Sequence, residues 1–168
     1  MVVKRFCPCS DNDTEAQHDA STLRFSHFNP AKPYEPQTVT GTLTIPFDLD
    51  DSYWVSVRVD KRANNQWKKN YFVLNRFPVG FCSTVRTNIP EGFARVLGPK
   101  SLTGRCNVPK NTYAFDHVPF NWTLANYPTL PYGSYVMELR AQQPVSNGLA
   151  SNTSAFKRCF EYDIKQKP

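Results

Sequence analysis

The segment VTGTLTIPF is the strongest constraint on the fold, because Val39, Gly41, Leu43, Ile45 and Phe47 alternate strictly with Thr40, Thr42, Thr44 and Pro46. Successive side chains of an extended chain point to opposite faces, so this period of two marks a β-strand with one apolar face to hide. Pro46 falls near its end on the outer side, where a missing N–H is tolerated. The same beat returns in YWVSVRV, which sets Tyr53, Val55, Val57 and Val59 against Trp54, Ser56 and Arg58. WKKNYFVLN, carrying Phe72 and Leu74, brings the chain back as a hairpin whose turn, within DKRANNQ, reads as longer than two residues. TYAFDHVPFNW alternates through Tyr113 and Phe115, and PYGSYVMELRA places Tyr135, Met137 and Leu139 together. FKRCFEYDIK aligns Phe156, Phe160, Tyr162 and Ile164 opposite Cys159, and STLRFSHFNP gives a first strand with Leu23 and Phe25 inward.

About seven such strands without heptads or internal repeats predict an all-β chain, a two-sheet antiparallel β-sandwich. At 168 residues, with no composition break, residues 20–168 read as one domain and residues 1–19 as a polar tail tethered through a cysteine. Fourteen prolines and 14% aromatic residues suit short strands joined by turns. Between 77 and 99 the chain is apolar but punctuated by Gly80, Pro90, Gly92 and Gly98, which predicts short helical turns around CSTVRTN and EGFARVL.

Five cysteines, at 7, 9, 82, 106 and 159, lack the paired C-x-x-C spacing of a zinc site and read as two disulfides with one thiol left over. Cys7 and Cys9 compete for one partner, and the odd cysteine leaves open a disulfide-linked homodimer beside a non-covalent one. The start MVVKRFCPCS has no apolar core, so a secretory route implies a signal peptide absent from this chain. The sequons at Asn12, Asn121 and Asn152 fit that route.

A net charge of +6 favours acidic partners, and the densest basic cluster is KRANNQWKK. It carries no nucleic-acid-binding signature. Lys61, Arg62, Lys68 and Lys69 there form either a solvated hairpin tip or a docking patch for anionic membrane head groups. Catalytic signatures are missing: there is no G-x-S-x-G, H-E-x-x-H, Walker or dinucleotide-binding motif, so no enzyme and no cofactor are expected. Asp116 and His117 are adjacent, and regular alternation would turn them to opposite faces. Asp48, Asp50 and Asp51 read as a turn whose carboxylates take nearby N–H groups, with weak calcium binding as the alternative.

Large apolar side chains also crowd segments that are not regular strands. Phe77, Val79, Phe81, Ile89, Phe93, Val96 and Leu97 occupy one, and Phe120, Trp122, Leu124, Tyr127 and Leu130 another. Loops normally run over the surface and stay polar, so these must cap a core, line a cavity or meet a partner.

The succession GFCSTVRTNIP, RCNVPKNTYAF, LPYGSYVMELRA and FKRCFEYDI resembles the lipid-recognition (ML) domain family, the ganglioside activator and related secreted insect chemosensory-type proteins above all. Cys82, Cys106 with Lys110 and Tyr113, and Pro131, Gly133 and Tyr135 carry the likeness over about residues 20–166, with Trp67 and Lys68 resembling the start of an earlier strand. The resemblance implies an immunoglobulin-like sandwich of about nine strands, splayed around an apolar cavity for acyl chains. It also implies a Cys82–Cys106 bridge and a bridge from the N-terminal segment to Cys159.

The expected function is that of a secreted, non-enzymatic carrier of a lipid or other apolar small molecule. The expected cavity wall is Val39, Leu43, Ile45, Phe47, Val55, Val57, Phe72, Leu74, Phe81, Phe93, Val96, Leu97, Phe115, Phe120, Trp122, Tyr135, Met137, Leu139 and Phe160, with segment 77–97, Phe93 included, as a gate. Two alternatives stand beside it. One is a chemosensory or pheromone-related carrier of the same fold; the other is an immunoglobulin-like interaction module with a filled core that binds a protein or acidic glycan.

Overall fold

A computed structural model describes residues 1–9, 21–98, 103–123, 129–143 and 155–165. In chain order the elements are β1 (Val2–Cys7), β2 (Arg24–Phe25), β3 (Gln37–Ile45), β4 (Leu49–Asp50), β5 (Trp54–Ala63), β6 (Gln66–Leu74), helix α1 (Phe81–Asn88), β7 (Asn107–Val108), β8 (Asn111–Phe120), β9 (Gly133–Gln142) and β10 (Phe156–Ile164). Short helical turns at Pro90–Gly92 and Phe93–Leu97 follow α1. All described pairings are antiparallel. One sheet runs β1-β10-β9-β5-β6, a second β2-β3-β8, and β4 pairs with β7. The apolar faces of the first two share one core, a β-sandwich-like arrangement.

Alternation explains the layering. Val55, Val57 and Val59 of β5 are almost fully buried, as are Tyr135 and Met137 of β9 and Phe156, Phe160 and Tyr162 of β10. The residues between them on β5, β9 and β10 form a charged outer face, where Glu138 pairs with Arg140, Arg58 and Lys157 and Glu161 pairs with Lys4 and Arg5. Two tyrosines close strand entrances: Tyr113 donates to the carbonyl of Pro109 at 2.5 Å, and Tyr135 to that of Pro131 at 2.6 Å.

Several sequence expectations need correction. The N-terminal segment is no free tail up to Cys7: Val2–Cys7 is an edge strand on β10. Its polar look comes from Lys4 and Arg5, which face the acids of β10. The Gln37 side chain then joins the two sheets, accepting the Val3 N–H and donating to the Val3 carbonyl, both at 2.8 Å. The β5–β6 turn is also shorter than expected. Ala63 pairs with Gln66, and Asn64 and Asn65 take φ of 51° and 60°, the left-handed pair that a tight primed turn needs. The segment before Lys110 holds a short strand, β7, where a loop was expected.

Gly41 has φ +121°, and a Cβ there would sit 2.5 Å from the Thr22 carbonyl oxygen, so only glycine lets β2 approach β3. Opposite it, the register slips between Val39 and Gly41, which inserts an extra residue into β8. Phe115 and Val118 both face inward as a result, leaving Asp116 and His117 outside. The expectation that these two point apart is therefore corrected. His117 Nδ1 and Asp116 Oδ1 lie 2.7 Å apart, fully on the surface.

Candidate functional site: an apolar recess between the sheets

Between the five-stranded and three-stranded sheets lies a recess of about 110 Å³. Its wall is apolar except for one side chain, Arg158. Phe6, Leu139, Phe156 and Phe160 come from the larger sheet; Leu23, Phe25, Val39, Leu43, Ile45, Phe115 and Phe120 come from the smaller sheet and its flanks. Phe81, Val85, Ile89 and Leu97 descend from α1 and the turns after it, Val108 from β7, and Trp122 from the segment after β8.

Helix α1 is placed by its first turn. Gly80 passes so close to Asp51 that a Cβ would lie 2.3 Å from the Asp51 Cα. Asp51 then accepts the Ser83 backbone N–H at 2.7 Å and the Ser83 hydroxyl at 2.6 Å, capping donors that the helix itself leaves unsatisfied. Asp48 accepts the Lys110 N–H and Asp50 accepts the Ser52 N–H and hydroxyl, so the acidic turn is built as its sequence suggests. The Cys82–Cys106 disulfide pins the same helix to the entry of β7.

Of the expected wall, Val39, Leu43, Ile45, Phe81, Leu97, Phe115, Phe120, Trp122, Leu139 and Phe160 are brought together. Val55, Val57, Tyr135 and Met137 are inward but buried in packed core away from the recess, and Phe72 and Leu74 pack against that core. Phe47 stacks on Tyr53 outside the recess, at 5.6 Å between ring centres, and Val96 only flanks the core. Phe93 is 0% exposed and does not line the recess, whereas Phe81, Val85, Ile89 and Leu97 of the same 77–97 segment do.

Phe6, Val85, Ile89, Val108, Phe156 and Arg158 were not on the expected wall, nor were Leu23 and Phe25, although their alternation was visible. Arg158 had a readable signal, since it shares parity with Phe156 and Phe160. Its guanidinium stacks 4.1 Å from the Phe156 ring centre and donates to the Thr44 carbonyl of β3 at 3.3 Å, bridging the two sheets. Five aromatic rings close a circuit around part of the wall. Phe6 contacts Phe25 at 5.3 Å, Phe25 contacts Phe120 at 5.1 Å, Phe120 contacts Trp122 at 4.8 Å, Trp122 contacts Phe160 at 5.3 Å, and Phe160 returns to Phe6 at 6.2 Å.

The second disulfide is Cys9–Cys159, leaving Cys7 as the free thiol, directly across the β1–β10 ladder from Cys159. Burial and the Glu161 carboxylate push the Cys7 thiol up, against a smaller opposing effect of Arg5. On the hairpin, Lys61 lies over the rings of Tyr71 and Tyr135, Arg62 over Trp67, and Lys69 pairs with Asp60 at 3.3 Å. Lys68 is exposed beside them, so the basic patch has less unmatched charge than the sequence suggests. Asn121 is exposed, while Asn12 and Asn152 lie outside the described residues, as do Leu124 and Tyr127.

Two disulfides fit an extracellular protein, and no helix among the described residues is long and apolar enough to cross a membrane. No protein-family model matches the chain, and no curated protein matches it.

Proposed function

We propose that the protein is a secreted, non-enzymatic carrier that holds a lipid or another apolar small molecule between its two sheets, in an immunoglobulin-like sandwich of the lipid-recognition kind. The single observation that carries this reading is the apolar recess, whose wall draws side chains from both sheets and from α1. Transfer of acyl surface out of water drives loading, at about 0.8 kcal/mol per buried methylene before the costs of association.

The recess of about 110 Å³ is small beside sites of roughly 300–1,000 Å³ that enclose drug-sized ligands. A long acyl chain therefore enters by separation of the aromatic circuit. The same observation favours a second reading of the same fold, a chemosensory-type carrier of a compact volatile, since a dry cavity of about 150 Å³ takes up a molecule the size of benzene. The basic hairpin brings either carrier to anionic membrane surfaces, weakly.

Native mass spectrometry of protein secreted from eukaryotic cells, followed by solvent extraction of the released material, tests the proposal. A stoichiometric lipid adduct supports the first reading and a small volatile the second. A clean mass that stays unchanged after incubation with mixed lipids, fatty acids and volatiles overturns both and leaves the interaction module with a filled core.

A further inference from the structure

The free thiol does not stand alone. Cys7 ends β1 directly opposite Cys159 in the β1–β10 ladder, and Cys9, just beyond the strand, holds Cys159 in a disulfide. Facing residues of an antiparallel pair lie about 4.5–5.5 Å apart at Cα, inside the about 4.4–6.8 Å that a disulfide spans. The existing bridge spans 5.3 Å, so one chain offers Cys159 two partners at bridging distance. Their side chains also share a face. Phe6 turns inward to the recess with its ladder partner Phe160, whereas Arg5 meets Glu161 outside at 3.1 Å, which puts Cys7 and Cys159 outside too. There both line a hollow of about 230 Å³ together with Pro8. The charged lining of that hollow is already paired, Arg5 with Glu161, Arg58 with Glu138 and Lys69 with Asp60, which leaves the two sulfurs as its reactive groups.

We infer that the protein interconverts between two disulfide isomers by attack of the Cys7 thiolate on Cys159 Sγ. The Cys7–Cys159 bond forms, the Cys9–Cys159 bond breaks, and Cys9 leaves as a thiolate that takes up the proton Cys7 released. The step needs no oxidant or reductant. It moves the tether of β1 from a residue beyond the strand to the one next to Phe6, a recess ring, and passes the free thiol to Cys9. It does not depend on the carrier reading. Only the thiolate attacks, and burial and the Glu161 carboxylate keep Cys7 protonated against the smaller pull of Arg5. Glu138 of β9, with Oε2 3.9 Å from Cys159 Sγ, also repels an incoming thiolate. Arg58 and Asp60 of β5 and Lys69 of β6 complete the charges around the hollow. Exchange is therefore slow at neutral pH and quickens as the pH rises.

Incubation of the full wild-type chain at about pH 7, 8 and 9 without reductant or oxygen, then acid quenching, mildly acidic maleimide labelling and peptic peptide mapping, tests this. Protein kept in acid carries the label on Cys7. On incubation the label appears on Cys9, about tenfold faster per pH unit and at a rate independent of protein concentration, while the buried Cys82–Cys106 bridge stays intact. Cys9→Ser forms the Cys7–Cys159 bridge and leaves no free thiol, and Cys7→Ser shows no exchange. Label confined to Cys7 at every pH, label on Cys159 in place of Cys9, or a rate that scales with protein concentration overturns the inference. So does a folded Cys9→Ser protein that keeps both remaining N-terminal and β10 thiols free.

Discussion

One carboxylate caps α1, which carries Phe81 and Val85 into the recess, and Asp51→Ala tests how much the helix gains from it. Gly80 at the N-cap offers no side chain, so the Asp51 oxygens replace it by accepting the Ser83 N–H and hydroxyl. Loss of a cap costs about 0.5–2 kcal/mol, and loss of a negative charge beside a helix N-terminus about 0.3–1 kcal/mol. Asp51→Ala is therefore expected to lower stability by about 1–2.5 kcal/mol. Asp51→Asn, which keeps an acceptor and loses the charge, costs about 0.5–1 kcal/mol. Ser83→Ala removes the hydroxyl bond to Asp51, about 1 kcal/mol, together with a long 3.5 Å bond from Arg86, and in the double variant most of that loss disappears because the bond to Asp51 is already gone. Equilibrium urea unfolding with the disulfides intact, followed by circular dichroism and tryptophan fluorescence, measures the four variants against the wild type. A loss below about 0.3 kcal/mol in Asp51→Ala, or strict additivity in the cycle, would refute the reasoning and leave the Cys82–Cys106 bridge and Phe81 packing as what holds the helix.

Replacing Cys82 and Cys106 together by alanine opens a loop of sequence separation 24 and should cost about 3.5 kcal/mol by the chain-entropy estimate, read from urea midpoints at constant slope. Asn65→Gly should raise stability by a few tenths to about 1 kcal/mol, since its φ of 60° sits in the second place of a primed turn; a fall would contradict that turn assignment. Burial pushes the Asp163 carboxyl up, but the Ser134 hydroxyl and the Lys4 ammonium at 2.9 Å outweigh it and hold its pKa below the ordinary value. The stability this gives is present above the unfolded value of about 3.9 and lost as pH falls through the lower folded value, so the wild type weakens from about pH 5 downward while Asp163→Asn shows a flatter acid limb in thermal scans.

The period of two in β3, β5, β9 and β10 was enough to find the strands and their inward faces, because each is long and sets apolar side chains against polar or charged ones. It failed at β1, where a register shift between Val3 and Arg5 turns Val3 and Phe6 inward at a spacing of three, and at β8, where the bulge makes Phe115 and Val118 share a face at the same spacing. The wall was legible where strands cross the recess, at Val39, Leu43, Ile45, Phe115 and Phe160. Strand parity cannot say which inward residue meets packed core and which meets open space, which is why Val55, Tyr135 and Met137 were placed on the wrong side of that division. The irregular segments were harder still. Phe93 and Ile89 lie four residues apart in one apolar run, yet Phe93 is sealed in the core and Ile89 lines the recess, a distinction fixed by the turn geometry after α1.

The most direct test of a chain lodged between the sheets is fluorescence quenching by a lysolipid brominated on its acyl chain. Trp122 is in the recess wall, whereas Trp54 stacks under Arg76 and Trp67 under Arg62, both away from that wall. In Trp54→Phe/Trp67→Phe the remaining emission should fall saturably with one equivalent of the brominated lipid, and in Trp122→Phe the emission of the other two should stay unchanged. Quenching of Trp54 and Trp67 with Trp122 spared, or no quenching of Trp122 at saturating lipid, would contradict an occupied recess between the sheets.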